Sequence, residues 1–225
     1  EELGRYLGLK KAPYRMECFD ISHMQGSETV ASMVVFEGGV AKKSDYRRFK
    51  IRSAEGKPDD FKSMREVTTR RYGAPDAEMP DLIVIDGGKG QLSSALEIIR
   101  GAGHLLVPVV GLAKREEEVF REGESEPVIL PRDSQALFLI QRIRDEAHRF
   151  AITYHRRLRG KRNMVSVLDH IEGIGPKRRQ LLYEHYGELE KIKEASVEEM
   201  AGLDGMNRPA AEAVYNFFLA QRNLR

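Results

Sequence analysis

The 225-residue sequence is nearly devoid of cysteine, and its single copy, Cys18, cannot form a disulfide within the chain. That excludes a disulfide-scaffolded domain and fits a reducing compartment. No apolar run approaches the ~20 residues that a bilayer-spanning helix needs. A basic-then-apolar secretion signal is also missing, so the chain reads as cytoplasmic with no membrane association. It has no initiator Met and opens on EELGRYLGLKKAPYR, so a fragment of a longer protein is expected. There is no strong charge of one sign either, since the formal net charge is +2. Divided along the chain, however, the charge is uneven. Residues 141–163 hold eight Lys/Arg against two Asp/Glu, residues 1–140 hold twenty-one against twenty-three, and residues 164–225 hold eight against ten. A short basic stretch in an otherwise balanced chain is the pattern of a site facing a polyanion.

What is present is enough for a core and a highly ionic surface, with 41% hydrophobic and 32% charged residues. The first half reads as strands at 16–24, 28–36 and 40–51, with Gly38-Gly39 as a hairpin turn. A helix follows, opened by Asp59-Asp60, with Phe61, Met64, Val67 and Thr68 at helical spacing. The run LIVIDGG at 82–88 predicts a strand buried on both faces. A helix from Gln91 to about Ile99, a strand at 106–113 and a hairpin around 121–127 come next. Over 134–158, Ala136, Leu139, Ile140, Ile143, Ala147, Phe150, Ala151 and Tyr154 form one apolar helical stripe. The order β-β-β-α-β-α-β-α describes a mixed α/β sheet domain over 1–158, and 159–164, within LRGKRNM, reads as a basic linker.

Asp20 lies inside the first strand and Asp86 ends the central one. A strand-borne carboxylate is costly to bury unless it is paired or binds a cation. Asp before Gly-Gly is also ordinary turn chemistry, but two acids at matching strand ends together offer oxygen ligands to a hard divalent ion. His148 sits at the margin of the apolar stripe, as a metal ligand, a proton carrier or a surface histidine of a basic helix. His155, one heptad on, reads as a solvent or phosphate contact. Phosphodiester hydrolysis gives such residues a reason to gather, because one or two Mg²⁺ or Mn²⁺ ions neutralise charge, activate water and assist the leaving oxygen. The glycine-rich DGGKGQ is not a Walker loop, since Gly90 rather than Ser or Thr follows Lys89. Gly87 and Gly88 read as a sharp turn beside Asp86, with Lys89 and Gln91 near a DNA backbone.

The C-terminal residues 165–225 predict a small all-α domain. SVLDHIEGIGPKRRQLL places Gly173-Ile174-Gly175 between two helices, the second opened by Pro176, which is a helix-hairpin-helix pattern. Its glycines let backbone amides approach a phosphate at a helix N-terminus, and Lys177 and Arg178 add charge. The layout recurs at 200–214 with Gly205-Met206-Asn207, where Asn207 replaces the second glycine and Arg208 follows. Asn tolerates left-handed backbone, so the turn survives, with weaker phosphate binding expected. Further DNA contacts are expected from Lys89, Arg149, Arg156, Arg157, Arg159, Lys161 and Arg162, with little sequence preference.

The stretches ECFDISHMQG, DDFKSMREV with RRY, IDGGKGQ and RDEAHRFAITYHRR, in that order, resemble the C-terminal half of the UvrC family. These are the incision enzymes of the excinuclease ABC system in bacterial nucleotide excision repair. The resemblance covers essentially the whole chain. It implies a ribonuclease-H-like fold whose catalytic residues are Asp20, Asp86 and His148, with a further acid from Asp59 or Asp60. Metal ligation by Asp20, Asp86 and His148, Mg²⁺ or Mn²⁺ as cofactor, and hydrolysis on the 5′ side of a lesion in double-stranded DNA follow as expectations. So does a partnership with a damage-bound UvrB complex of the excinuclease, through regions outside this chain. The competing readings are a non-catalytic DNA-binding scaffold with structural acids, and a junction, RNA-directed or hybrid nuclease of the same fold.

Overall fold

A computed structural model describes residues 1–23, 29–53, 58–113 and 118–222. Met24 and Glu28, expected in the first two strands, lie outside the described residues. The chain divides into two compact units, Glu1–Ile152 and Thr153–Arg225.

The first unit is built on one mixed sheet. A short helix α1 (Glu2–Tyr6) precedes β1 (Arg15–His23), β2 (Thr29–Glu37), β3 (Val40–Ala41) and β4 (Arg47–Lys50); then come α2 (Asp60–Tyr72), β5 (Leu82–Ile85), α3 (Lys89–Gly101), β6 (Val109–Leu112), β7 (Val119–Arg121) and α4 (Gln135–Leu168). Among the described residues seven strands form the sheet, ordered β3-β2-β1-β5-β6-β7, with β4 also paired to β2. β1 is antiparallel to β2 and parallel to β5, which is parallel to β6. The β2–β3 turn requires left-handed backbone, and Gly38 and Gly39 supply it with φ of 57° and 80°.

The third expected strand is interrupted. A 3-10 turn at Lys43–Asp45 separates β3 from β4, and both segments pair with β2. Asp45 accepts a 2.7 Å bond from Arg15 Nη1, a tertiary attachment that pulls this segment away from a continuous ladder.

Every residue of β5 is fully buried, as its unbroken apolar sequence requires, and alternation divides its side chains between two cores. Ile83 and Ile85 join Phe19, Met64, Val67, Leu92 and Ile99 on the α2/α3 face. Leu82 and Val84 join Met16, Cys18, Ile140, Ile143 and Ala147 on the α1/α4 face. The larger of these, the Val, Leu, Ile, Phe and Met side chains, each contribute about 1.5–3 kcal/mol by leaving water. Glu17 is a buried exception, held on the α2 face by Arg71 at 2.8 Å and by the Tyr72 hydroxyl, which donates to its Oε2 at 2.6 Å. Burial and the Glu17 charge push the Tyr72 phenol well above its ordinary range.

The stretch 159–164 is not a linker: α4 runs through it to Leu168. Gly160 costs a helix about 1 kcal/mol relative to alanine, but Arg, Leu and Lys around it are good helix formers, and Met164 and Leu168 anchor the far end in a buried cluster. The division between the units falls inside this helix, at Ile152/Thr153.

The second unit adds α5 (Pro176–Tyr186), α6 (Leu189–Glu194), α7 (Val197–Ala201) and α8 (Arg208–Arg222) around a core of Leu168, Ile174, Leu182, Ile192, Met200, Val214 and Phe218. Ser196 and Glu199 form a reciprocal capping box at α7. No helix among the described residues is long and apolar enough to cross a membrane.

Candidate nuclease centre and nucleic-acid interface

Asp20 and Asp86 come together through strand register. Phe19 and Ile85 are register partners in the parallel pair, and the next backbone amide, that of Asp86, donates to Phe19 O at 2.8 Å. Asp20 has the parity of Met16 and Cys18, and Asp86 that of Leu82 and Val84, so alternation assigns both to the α4 face. Their relative exposures are 2% and 4%. Cys18 reports the same arrangement from below. Its fully buried thiol is pushed up first by burial, then by the charges of Asp86 and Asp20, while Arg144 from α4 opposes the shift. Two carboxylates and one guanidinium therefore share a field around one buried sulfur.

One oxygen of each acid, Asp20 Oδ2 and Asp86 Oδ1, is buried and accepts no hydrogen bond in the structure, although both residues have other interactions. Paired carboxylates in a nearly dry site are the donor chemistry of a hard divalent cation, so the residues fit Mg²⁺ or Mn²⁺. His148 is exposed on α4, one residue past buried Ala147 and one helical turn beyond Arg144. Among the described residues no group of three or more His, Cys, Asp or Glu is clustered to hold a metal ion. The acid pair is thus assembled, and His148 stands outside it.

The Asp59/Asp60 pair separates into two roles. Asp59 is the N-cap of α2, its Oδ1 accepting from Lys62 N at 3.0 Å. Asp60 Oδ1 lies 2.5 Å from His23 Nε2, and its Oδ2 accepts from Gln91 Nε2 at 3.0 Å. Asp60 therefore ties the ends of β1, α2 and α3 together, and His23 is in turn 2.9 Å from Thr29 Oγ1 through Nδ1. A Cβ on Gly87 would overlap the Gln91 side chain, so glycine there is what lets Gln91 reach Asp60. Sequence reading missed His23 and Arg144. Their spacing carried a signal: His23 ends the strand that bears Asp20, and Arg144 precedes His148 by one turn.

The expected DNA contacts are dispersed. Lys89 Nζ donates to Ser125 O at 2.7 Å and lies 4.8 Å from the Phe120 ring centre, so it braces the turn after β7. Arg149 pairs with Glu146 at 2.7 Å. Arg156, Arg159 and Arg162 are exposed on α4, Lys161 lies over the Tyr183 ring at 5.0 Å, and the side chain of Arg157 is outside the described residues.

In the second unit each hairpin turns on its first glycine, with φ of 81° at Gly173 and 95° at Gly205. The following positions differ. Gly175 caps α5 with no side chain in the way, and Pro176 occupies the first turn. Asn207 instead folds its side chain onto α8, accepting from Ala210 N at 3.0 Å. It serves as a cap, so it occupies an amide that the first hairpin leaves open. Lys177 is exposed. Arg178 faces inward, donating to Gly173 O at 2.7 Å and, at 3.5 Å, to Gly205 O, which staples the two turns to each other. Arg208 is engaged by Glu212 at 3.1 Å and Glu198 at 3.4 Å.

Comparison with known proteins agrees with both halves. Residues 4–152 match the UvrC RNase H endonuclease domain, and residues 165–218 match the SAM-like helix-hairpin-helix tandem. The UvrABC system protein C of Desulforudis audaxviator is 46% identical over 96% of this chain, and that of Symbiobacterium thermophilum 48% over 95%; in each the match spans 38% of the relative. The Chlorobaculum tepidum protein is 48% identical over 98% of this chain and 35% of its own length. The chain thus spans less than two fifths of these relatives, all three named as the same protein. It belongs to the UvrC RNase H endonuclease domain family, with a tandem helix-hairpin-helix region following that domain.

Proposed function

We propose that this chain is the part of a nucleotide-excision-repair nuclease that hydrolyses one phosphodiester bond, on the 5′ side of a lesion in double-stranded DNA, with Mg²⁺ or Mn²⁺. The observation that carries the proposal is the pair of buried carboxylates, Asp20 and Asp86, each one residue past the point where the parallel pairing of β1 and β5 ends, with Arg144 in their field. Asp20 and Asp86 would hold the ion. When bound, it supplies charge neutralisation at the phosphorus and a more acidic water.

The chain's own residues do the rest. Arg144 offers a fixed positive charge to a scissile phosphate, worth more in a nearly dry site than in water. His148 is reachable from solvent on the same helix, suited to delivering or removing a proton. Asp60, held from two sides by His23 and Gln91, fixes the mouth of the site. Gly173–Lys177 grip the DNA backbone through open amides and the α5 dipole, which gives affinity without base readout. A damage-bound UvrB complex would select the lesion through regions outside this chain.

The test is metal-dependent cutting of lesion-bearing duplex by the wild-type chain and by Asp86→Asn. The substitution should abolish incision and leave DNA affinity within about twofold, because phosphate contacts carry the binding. Undiminished incision by the variant removes Asp86 from the mechanism. Wild-type and variant chains that bind equally and never cut, with or without metal, leave the scaffold reading.

A further inference from the structure

Phe61 is the second residue of α2, and 51% of it is exposed. Helical spacing grouped it with Met64, Val67 and Thr68, but those three are buried on the α2 face of the sheet and Phe61 is not. Its place is nevertheless defined. The ring lies on the backbone of Gly90, in the first turn of α3, so closely that a Cβ there would come within 2.5 Å of Cε1 and 2.9 Å of Cζ. The residues on either side of this contact are tied to each other: Asp60 precedes Phe61, Gln91 follows Gly90, and the two are hydrogen-bonded. Gly90 is itself only four residues past Asp86.

A large apolar ring that is half in water, in a fixed seat on the turn of α3 that follows Asp86, offers a flat face to an occupant. The surroundings favour nucleic acid over an apolar protein surface. The ring sits at the first turn of α3, whose N-cap Gly88 supplies no side-chain cap and whose dipole therefore favours an anion, and Lys62 beside it is exposed, with Asp59 3.9 Å from its Nζ. Aromatic side chains in such settings stack on bases irrespective of sequence, because every base has a π face.

We infer that Phe61 stacks on an unpaired nucleobase next to the scissile phosphate, and so determines a preference for DNA distorted at the cut. Gly90 is the seat that orients the ring. The inference rests on the DNA-cleaving reading of the Asp20/Asp86 site.

The experiment places 2-aminopurine, unpaired, at successive positions flanking the cut and measures its fluorescence and binding without divalent ions. Cutting is measured separately with Mg²⁺. The wild-type chain should quench the probe at one position. Phe61→Ala should lose the quench and bind about 5- to 150-fold more weakly, the range of one base–aromatic stack. Phe61→Tyr should retain both properties and Phe61→Leu neither. Gly90→Ala, which displaces the ring without removing it, should behave like Phe61→Ala. An abasic site at the quenched position should erase the difference between wild type and Phe61→Ala, and thermal melts should stay near wild type in all variants. Wild-type quenching and affinity in both Phe61→Ala and Gly90→Ala overturn the inference, whatever the cutting data. Phe61-dependent quenching in a chain that never cuts leaves the stacking site standing and overturns the nuclease reading instead.

Discussion

Replacing Asp86 by Asn keeps the side-chain volume and removes one of two like charges buried in the same site. Neighbouring strands are about 4.8 Å apart, and two carboxylates ~5 Å apart repel by roughly 3 kcal/mol at an effective dielectric constant of ~20. Arg144 offsets part of this through the field it shares with the pair, so a net gain of about 1–2 kcal/mol is expected from the neutral amide. For a chain of this size that corresponds to a rise in Tm of roughly 2–8 °C. The assay is thermal unfolding of wild type and Asp86→Asn, first with chelator and then with excess Mg²⁺. With chelator the variant should melt higher. Mg²⁺ should raise the wild-type Tm, because a ligand of the folded state stabilises it by mass action, and should leave the variant nearly unmoved. The reasoning fails if the variant melts lower with chelator, or if Mg²⁺ raises both proteins equally. In either case the acids are not a repelling pair held apart for a cation.

Gly160→Ala should stabilise the chain by about 1 kcal/mol, because nothing lies within 4 Å of the added Cβ and the residue is inside α4; a flexible linker at 159–164 would show no change in Tm. Asn207→Gly should cost only a few tenths of a kcal/mol as a cap while freeing the Ala210 amide, so the dependence of log affinity on log salt should steepen by about one phosphate contact; an unchanged slope would mean that the second hairpin does not meet phosphate. Burial works to raise the Glu66 carboxyl, but bonds from the Ser53 and Arg52 amides and from Arg70 outweigh it and hold it below its ordinary range. A carboxyl with a lowered folded-state pKa stabilises above its unfolded value, about 4.3, and that contribution disappears as pH falls through the folded-state value. Glu66→Gln should therefore lose less stability than wild type between pH 5 and pH 3 in urea titrations, roughly the window in which a paired carboxylate is protonated.

Where local pattern and tertiary environment agreed, the chain was readable from its residues. The buried run at 82–85, the Gly38-Gly39 turn, the Asp59 cap and the paired hairpins are all encoded within a few neighbouring positions. Register then followed, since acids one residue past the last paired position of two adjacent parallel strands must end in one place. What escaped was decided by distant partners. Glu17 looks like a misplaced charge in a strand until Arg71 and Tyr72, 54 and 55 residues away, close on it. The break at Lys43–Asp45 depends on Arg15, and the choice between Asp59 and Asp60 on His23 and Gln91. The continuation of α4 through Gly160 was hidden because a glycine among cations reads as a joint, and its anchors, Met164 and Leu168, lie beyond it. His148 is exposed on α4, at the margin of the apolar stripe, where its spacing from Ala147 and Ala151 had put it.

The lone thiol is an unplanned instrument. Cys18 is sealed under the two acids and held in its protonated form by burial and by their charges, so an alkylating reagent has nothing to attack while β1 stays in register. Modification can proceed only in the fraction of molecules whose sheet has opened at that point, and its rate becomes a clock for how often the floor beneath the acid pair comes apart.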